Sequence, residues 1–233
     1  NPKSFWAPYW EEHKQSRLFK SNLWQSYDFF HDAVIRHCTD RDAIAFRFYQ
    51  GLNGWQELSY AELAKESATL AADWENQGIS TDHNVCLILP FGSEFVIYLM
   101  AAFKLGLTVS WLIPDAPVYI HNRLSQLEID YILCPDEVKP FIHDFSEKII
   151  VPKNTTGLPI NQTSASYPPE KTALRVFDPI SLDYLNPLDI NSEFLLLQSL
   201  RDGHLFMELC PGKSFSAPGF QPLLTEPTNL LAT

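Results

Sequence analysis

The chain has 233 residues, 45% of them hydrophobic, with 17 Lys and Arg against 28 Asp and Glu for a formal net charge of −11. That length holds one large domain, or one domain with an appendage. The acidic balance argues against a nucleic-acid partner, and no apolar stretch reaches the roughly eighteen residues that span a bilayer.

Residues 1–30 read as an aromatic-rich N-terminal arm holding Phe5, Trp6, Tyr9, Trp10, Phe19, Trp24, Tyr27, Phe29 and Phe30. Such an arm either packs across the domain or anchors a protein partner, because Trp and Tyr are common interface anchors. The first clear element is a helix opening at Leu58-Ser59-Tyr60-Ala61-Glu62-Leu63. Ser59 is an N-cap, Glu62 completes a capping box, and Leu58 with Leu63 suits a hydrophobic staple. Apolar residues recur at Tyr60, Leu63, Leu70, Ala71 and Trp74 with the helical period, and Gly78 is placed to stop the helix in the left-handed region.

After a turn from Ile79 to Asn84, the run Val85–Leu89 reads as a strand buried on both faces, ended by Pro90. Phe91-Gly92 turn the chain, and Ser93 is expected to cap a second helix reaching Leu105, with Gly106 as its stop. Leu107–Ile113 predicts a second buried strand, closed by Pro114. A helix over about Tyr119–Leu127, a strand at Tyr131–Cys134 and an apolar run at Ile149–Val151 follow. Alternating helices and strands of this size imply right-handed crossovers and a mostly parallel sheet flanked by helices, an α/β fold over residues 31–151. The predicted pair is Val85–Leu89 beside Leu107–Ile113, with helices Tyr60–Gln77 and Glu94–Leu105 covering the sheet faces.

From Pro152 onward the texture changes, since ten of the 17 prolines lie in residues 152–233. Prolines at that density interrupt helices and restrict strands to edges. This third reads as a Pro-rich irregular segment with one or two further strands. Residues 152–190 read as a long connection, 192–200 and 204–210 as strand or helix, and Phe215–Thr233 as a tail that needs something to dock on.

Several of these segments together carry a family resemblance. Leu58–Leu63 resembles the first core motif of the adenylate-forming superfamily of acyl-CoA synthetases, peptide-synthetase adenylation domains and luciferases. Leu89-Pro90-Phe91-Gly92-Ser93-Glu94-Phe95 resembles its L-P-N-S-x-E-F turn. Ala102-Phe103-Lys104-Leu105-Gly106, with Pro114 after it, resembles its second core motif. The resemblance covers about Phe29 to Cys134. It implies the N-terminal lobe of an AMP-forming acid ligase that uses ATP and Mg2+ to activate a carboxylate, either as a fragment or as a truncated member.

The family holds the nucleotide phosphates on a loop of the form T-S-G-T-T-G-x-P-K-G. Small residues there let backbone amides face the phosphate oxygens while Lys adds charge. Two segments compare with it. Asn154-Thr155-Thr156-Gly157-Leu158-Pro159 matches T-T-G-x-P but has Ile160 in place of the Lys. Glu193–Leu197 resembles the strand before the loop, which puts Gln198-Ser199-Leu200-Arg201-Asp202-Gly203 at the loop position. Only Ser199 and Gly203 fit there as cofactor-binding residues, and Asp202 opposes phosphate. The family's adenine site, hinge and catalytic Lys have no counterparts in these residues. The resemblance therefore implies no catalytic residue here and no cofactor for the chain by itself.

The four cysteines show no C-x-x-C and the seven histidines are scattered singly, so no metal site is expected. Cys86 and Cys134 read as small buried hydrophobes. Reduced cysteines and a start without a signal-peptide pattern point to a cytoplasmic protein. Two functions fit these readings. One is the N-terminal lobe of an adenylate-forming enzyme, inactive without its C-terminal part. The other is a non-catalytic scaffold or protein-interaction module derived from that fold. The absence of G-x-G-x-x-G argues against a dinucleotide enzyme.

Overall fold

A computed structural model describes residues 26–40, 42–114, 117–151, 163–177, 186–209, 214–216 and 230–231. Their elements, in chain order, begin with α1 (Phe29–Ala33), a hairpin of β1 (Ile44–Tyr49) and β2 (Trp55–Ser59), α2 (Tyr60–Asn76) and β3 (Asn84–Ile88). Next come α3 (Ser93–Leu105), β4 (Thr108–Leu112), α4 (Pro117–Leu124), β5 (Tyr131–Leu133) and a 3-10 segment, Lys139–Lys148. β6 (Thr172–Phe177), β7 (Pro187–Asn191) and α5 (Ser192–Leu200) follow, and α5 runs on into a π-helical turn, Arg201–Phe206.

The helix boundaries follow from local chemistry. Glu62 N–H donates to Ser59 Oγ at 3.2 Å, and Ser59 N–H donates back to Glu62 Oε2 at 3.0 Å, so the capping box is complete. At the other end Gly78 has φ +88°, and Ile79 N–H reaches the Trp74 carbonyl at 3.0 Å. α3 ends the same way: Gly106 is left-handed at φ +74°, and Leu107 N–H donates to Ala102 O. Both ends satisfy carbonyls that a helix C-terminus leaves orphaned. The start of α3 differs from expectation. Gly92 is the N-cap and no side chain caps the helix. Ser93 is the first helical residue, and its hydroxyl accepts from Gln56 Nε2 at 3.1 Å.

The main sheet has the order β5-β3-β4-β6-β7. β3 pairs parallel with β4, Val85 opposite Val109 and Leu87 opposite Trp111, and parallel with β5 on its other side. β6 continues the parallel run beside β4, and β7 closes it antiparallel to β6. Side chains alternate across the sheet, as the period of two requires. Val85, Leu87, Val109 and Trp111 face a cluster with Trp74, Phe95 and Leu99. Cys86 and Ile88 face a second cluster with Ile120, Leu124 and Ile142. Helices α2 and α3 thus cover one face together, while α4 and the 3-10 segment cover the other.

Beyond residue 148, three segments depart from the sequence reading. Residues 152–190, read as an irregular connection, contain β6 and all but the last residue of β7, and these strands complete the main sheet. Arg175 interrupts the apolar pattern of β6; it is matched by Asp189 on β7 at 2.5 Å. Glu193–Leu197, read as a strand, is helical, because the Asn191 side chain caps α5 by accepting from Phe194 N–H at 2.8 Å. A short apolar run fits a buried strand or a buried helix equally, and here the cap decides. Ile149–Val151 makes a single bridge to Ile132 rather than a strand.

A strap over residues 163–167 ties the C-terminal end of α3 to the chain near Tyr27. Lys104 Nζ donates to Thr163 O at 2.7 Å, and Ala165 N–H donates to Lys104 O at 2.9 Å. Tyr27 and Tyr167 exchange backbone hydrogen bonds, and Tyr167 Oη donates to Leu107 O at 2.7 Å. Ser164 Oγ donates to Asp28. Phe29 stacks on Phe103 beneath this strap, with centroids 5.1 Å apart.

Candidate functional site

Open parallel sheets bind ligands beyond the carboxyl ends of their strands. Here those ends are Ile88, Leu112, Leu133 and Phe177. The turn Leu89–Gly92 leaves β3 at this edge and feeds α3. Phe91 and Phe48 lie at its rim, above the buried pair Phe95 and Trp111. Phe91 lies 5.7 Å from Phe48 and 5.8 Å from Phe95, and Phe95 stacks on Trp111 at 3.9 Å. The amide chain Gln50, Gln56 and Ser93 runs along the same rim, with Gln50 Nε2 donating to Gln56 Oε1. The hairpin is thereby fastened to the start of α3.

At the β6 end, the Arg123 guanidinium lies 5.2 Å from the centre of the Phe177 ring. Its Nε is buried and has no hydrogen-bond partner among the described residues. The sequence reading passed over Arg123, which looks like any polar residue of an amphipathic helix. The burial of Lys104 is likewise not visible in the sequence. The residue belongs to the Ala102–Gly106 motif, yet it is only 5% exposed, and burial lowers its pKa while the charges of Glu75 and Asp28 act against that shift.

Ser199 and Gly203 sit in one continuous helical segment, α5 and its π-helical turn. The Ser199 hydroxyl donates to Leu195 O at 2.7 Å. The Arg201 amide donates to the Leu197 and Gln198 carbonyls, and the Gly203 carbonyl accepts from Leu209 N–H at 2.8 Å. The Arg201 guanidinium pairs with Asp202 at 2.7 Å. In this arrangement the Arg201 amide and the Ser199 hydroxyl are both engaged within the helical segment. The other loop, Asn154–Pro159, lies outside the described residues. Among the described residues no group of three His, Cys, Asp or Glu is placed to hold a metal ion. Burial raises the Cys86 and Cys134 thiols, which opposes thiolate chemistry at either. No helix among the described residues is long and apolar enough to cross a membrane.

Comparison with known proteins adds to this geometry. A family model described as AMP-binding enzyme matches residues 30–180. Nonribosomal peptide synthetase 5 of Gibberella zeae is 29% identical over 109 residues, covering 46% of this chain and 1% of that protein. Acetoacetyl-CoA synthetase from Streptomyces lividans superposes with a TM-score of 0.71 at 16% identity, covering 89% of this chain and 37% of that one. A fatty acyl-adenylate ligase from L. pneumophila, solved with acyl adenylate and pyrophosphate, gives 0.67 at 12% identity, covering 88% and 38%. The chain thus spans well under half the length of these relatives.

Proposed function

Because this chain belongs to the AMP-binding enzyme family, we propose that it forms the N-terminal lobe of an ATP-dependent enzyme that activates a carboxylate as an acyl-adenylate. The supporting observation is the coverage: nearly all of this chain superposes on about two fifths of each related structure. On this reading the lobe supplies scaffold and one wall of the acyl pocket through its aromatic rim. ATP and Mg2+ are held by the complete enzyme, in the cytoplasm. The chain alone is inactive, as a fragment or truncated member awaiting its C-terminal part. A phosphate contact at Ser199 and Gly203 requires the π-helical turn to open and release its amides.

A second reading, a non-catalytic scaffold derived from the fold, draws support from the inward-facing Ser199 and the Arg201–Asp202 pair. Pyrophosphate exchange with a panel of carboxylates separates the two. The enzyme-lobe reading expects no exchange from the isolated chain and exchange from the longest open reading frame that contains it. A longer chain without exchange on any carboxylate favours the scaffold.

A further inference from the structure

The β1–β2 hairpin turns through Gly51-Leu52-Asn53-Gly54, and this turn holds chemistry that carboxylate activation does not use. Asn-Gly is a reactive pair. The amide nitrogen after the asparagine can attack the side-chain carbonyl carbon, and glycine carries no β-carbon to shield that nitrogen. Asp-Gly closes the same five-membered ring. The sequence holds one pair of each kind, Asn53-Gly54 and Asp202-Gly203, and the fold treats them oppositely. Asn53 is exposed at the end of a 3-10 turn, Gly51–Asn53. Its side chain makes no hydrogen bond to a described residue. Gly54 is held by bonds within the turn: its N–H donates to Gly51 O at 3.1 Å, and its carbonyl accepts from Gln50 N–H at 2.8 Å. Nothing lies within 4 Å of where a Gly54 β-carbon would stand, so the ring has room to close. Asp202, by contrast, is 7% exposed and paired with Arg201 at 2.7 Å. Its carbonyl accepts from Met207 N–H at 3.0 Å, and it lies with Gly203 inside the π-helical turn.

We propose that Asn53 is a site of spontaneous covalent modification in the folded chain. The Gly54 amide leaves Gly51 O, and its nitrogen forms a bond to Asn53 Cγ. That nitrogen gives up its proton, and the side-chain nitrogen departs as ammonia. Water then opens the cyclic imide. Opening at the main-chain carbonyl routes the backbone through the side chain as isoaspartate, and opening at the side-chain carbonyl leaves aspartate. Water is the sole co-reactant and no electrons are transferred. Either product adds one negative charge to a chain that carries −11. Isoaspartate also inserts a methylene into the main chain before Gly54, which disrupts the two turn bonds of that residue. Gln50 and Gln56 link the hairpin to Ser93 at the start of α3. The modification therefore loosens the hairpin's hold on the rim at the carboxyl ends of the strands.

Ageing the folded 233-residue chain at mildly alkaline pH, which frees the amide nitrogen, tests this. Trypsin then releases residues 48–65, in which Asn53 is the sole asparagine, and residues 202–213. The first peptide should gain the mass of water less that of ammonia, separate into aspartate and isoaspartate forms, and accept methyl groups from an isoaspartyl methyltransferase. Its rate should stay within about tenfold of the rate in urea, because exposed turns open at little cost. Isoaspartate at Asp202 should form about tenfold or more slowly than in urea, because the helical turn must open first. Asn53→Gln, whose imide would need a six-membered ring, should keep its mass. A first peptide that changes in urea and not in the folded chain overturns the proposal. So does isoaspartate forming at Asp202 as fast as at Asn53. A mass gain that persists in Asn53→Gln would trace to Gln50 or Gln56 and equally overturn it.

Discussion

Gly106 and Ala165 approach so closely that a β-carbon added to Gly106 would lie 2.7 Å from the Ala165 Cβ and 3.1 Å from Thr81 Cγ2. The left-handed φ of +74° at Gly106 adds its own penalty for any residue with a side chain. Gly106→Ala should therefore destabilise the domain by about 2–4 kcal/mol, combining strain and overlap. Gly78 is the control. It has φ +88° with nothing within 4 Å of the added carbon, so Gly78→Ala should cost only about 1 kcal/mol. Denaturant melts of both variants check this, and equal losses would mean that the strap moves aside freely. Ala165→Gly in the Gly106→Ala background should recover part of the loss.

Ser59 and Glu62 stabilise the start of α2 reciprocally. Ser59→Ala should cost about 1 kcal/mol through loss of the cap, with no selective effect on any ligand. The backbone amide of Ser59, followed by its hydroxyl, lowers the Glu62 pKa below 4.5. A carboxylate shifted downward contributes stability that is present above its unfolded pKa and lost as pH falls through the folded one. The acid limb of a stability curve should thus be shallower in Ser59→Ala. An unchanged melting point in that variant would place the helix start elsewhere.

What was legible in the sequence was what local chemistry alone decides. The Ser59–Glu62 box, the left-handed glycines at 78 and 106, and the unbroken runs of β3 and β4 need no distant partner to be recognised. The β1–β2 hairpin was passed over, although Phe46 and Phe48 alternate with Arg47 and Tyr49 before a glycine-bearing turn. β6 was obscured because Arg175 depends on Asp189, a partner that only the fold brings near. α5 was misread because five apolar-rich residues, Glu193–Leu197, fit either structure until the Asn191 cap is seen. For the same reason the loop position assigned to Ser199 and Gly203 turned out to be helical. Lys104 could be named from its motif, but its burial arises from the strap 59 residues away in sequence.

Lys104 holds the strap through one charged donor in a nearly dry place. Its ammonium also lies 5.3 Å from the centre of the Phe30 ring. Lys104→Met keeps the aliphatic stem but removes the donor to Thr163 O, and should destabilise by about 1–3 kcal/mol. Chemical denaturation measures this. A variant as stable as the parent would show that the cost of burying the charge cancels the bond it makes.

Tyr98 predicts how the domain fails in alkali. Burial above all, then the charge and hydrogen bond of Glu94 and the charge of Asp73, raise its pKa from 10.0 to about 12. A group whose folded pKa is raised contributes stability that is full below the unfolded pKa and lost as pH rises to the folded one. The domain should lose stability between pH 10.0 and about 12, and Tyr98→Phe should flatten that limb. Lys104 titrates with the opposite sign and at lower pH: its lowered pKa lets the folded state release a proton first, a gain in stability that is complete by its ordinary 10.5, so Lys104→Met should remove that gain ahead of the Tyr98 limb. A Tyr98→Phe curve parallel to the parent's would remove Tyr98 from the explanation.

The isolated chain should neither bind ATP tightly nor form an acyl-adenylate. Phosphate binding needs backbone amides free to face the oxygens and a cation close by. Around Ser199 the helix consumes the Arg201 amide, the Ser199 hydroxyl is given to Leu195 O, and the Arg201 guanidinium pairs with Asp202. The segment Asn154–Pro159 lacks the leading Ser-Gly and the closing Lys of a phosphate loop. Calorimetric titration with ATP and magnesium should give no saturable heat in the micromolar range, and Gly203→Ala should leave that result unchanged. Micromolar binding lost on changing Gly203 or Gly157 would reverse this expectation. It would show that the π-helical turn, or the segment around Gly157, reorganises into a working phosphate site without the remainder of the enzyme.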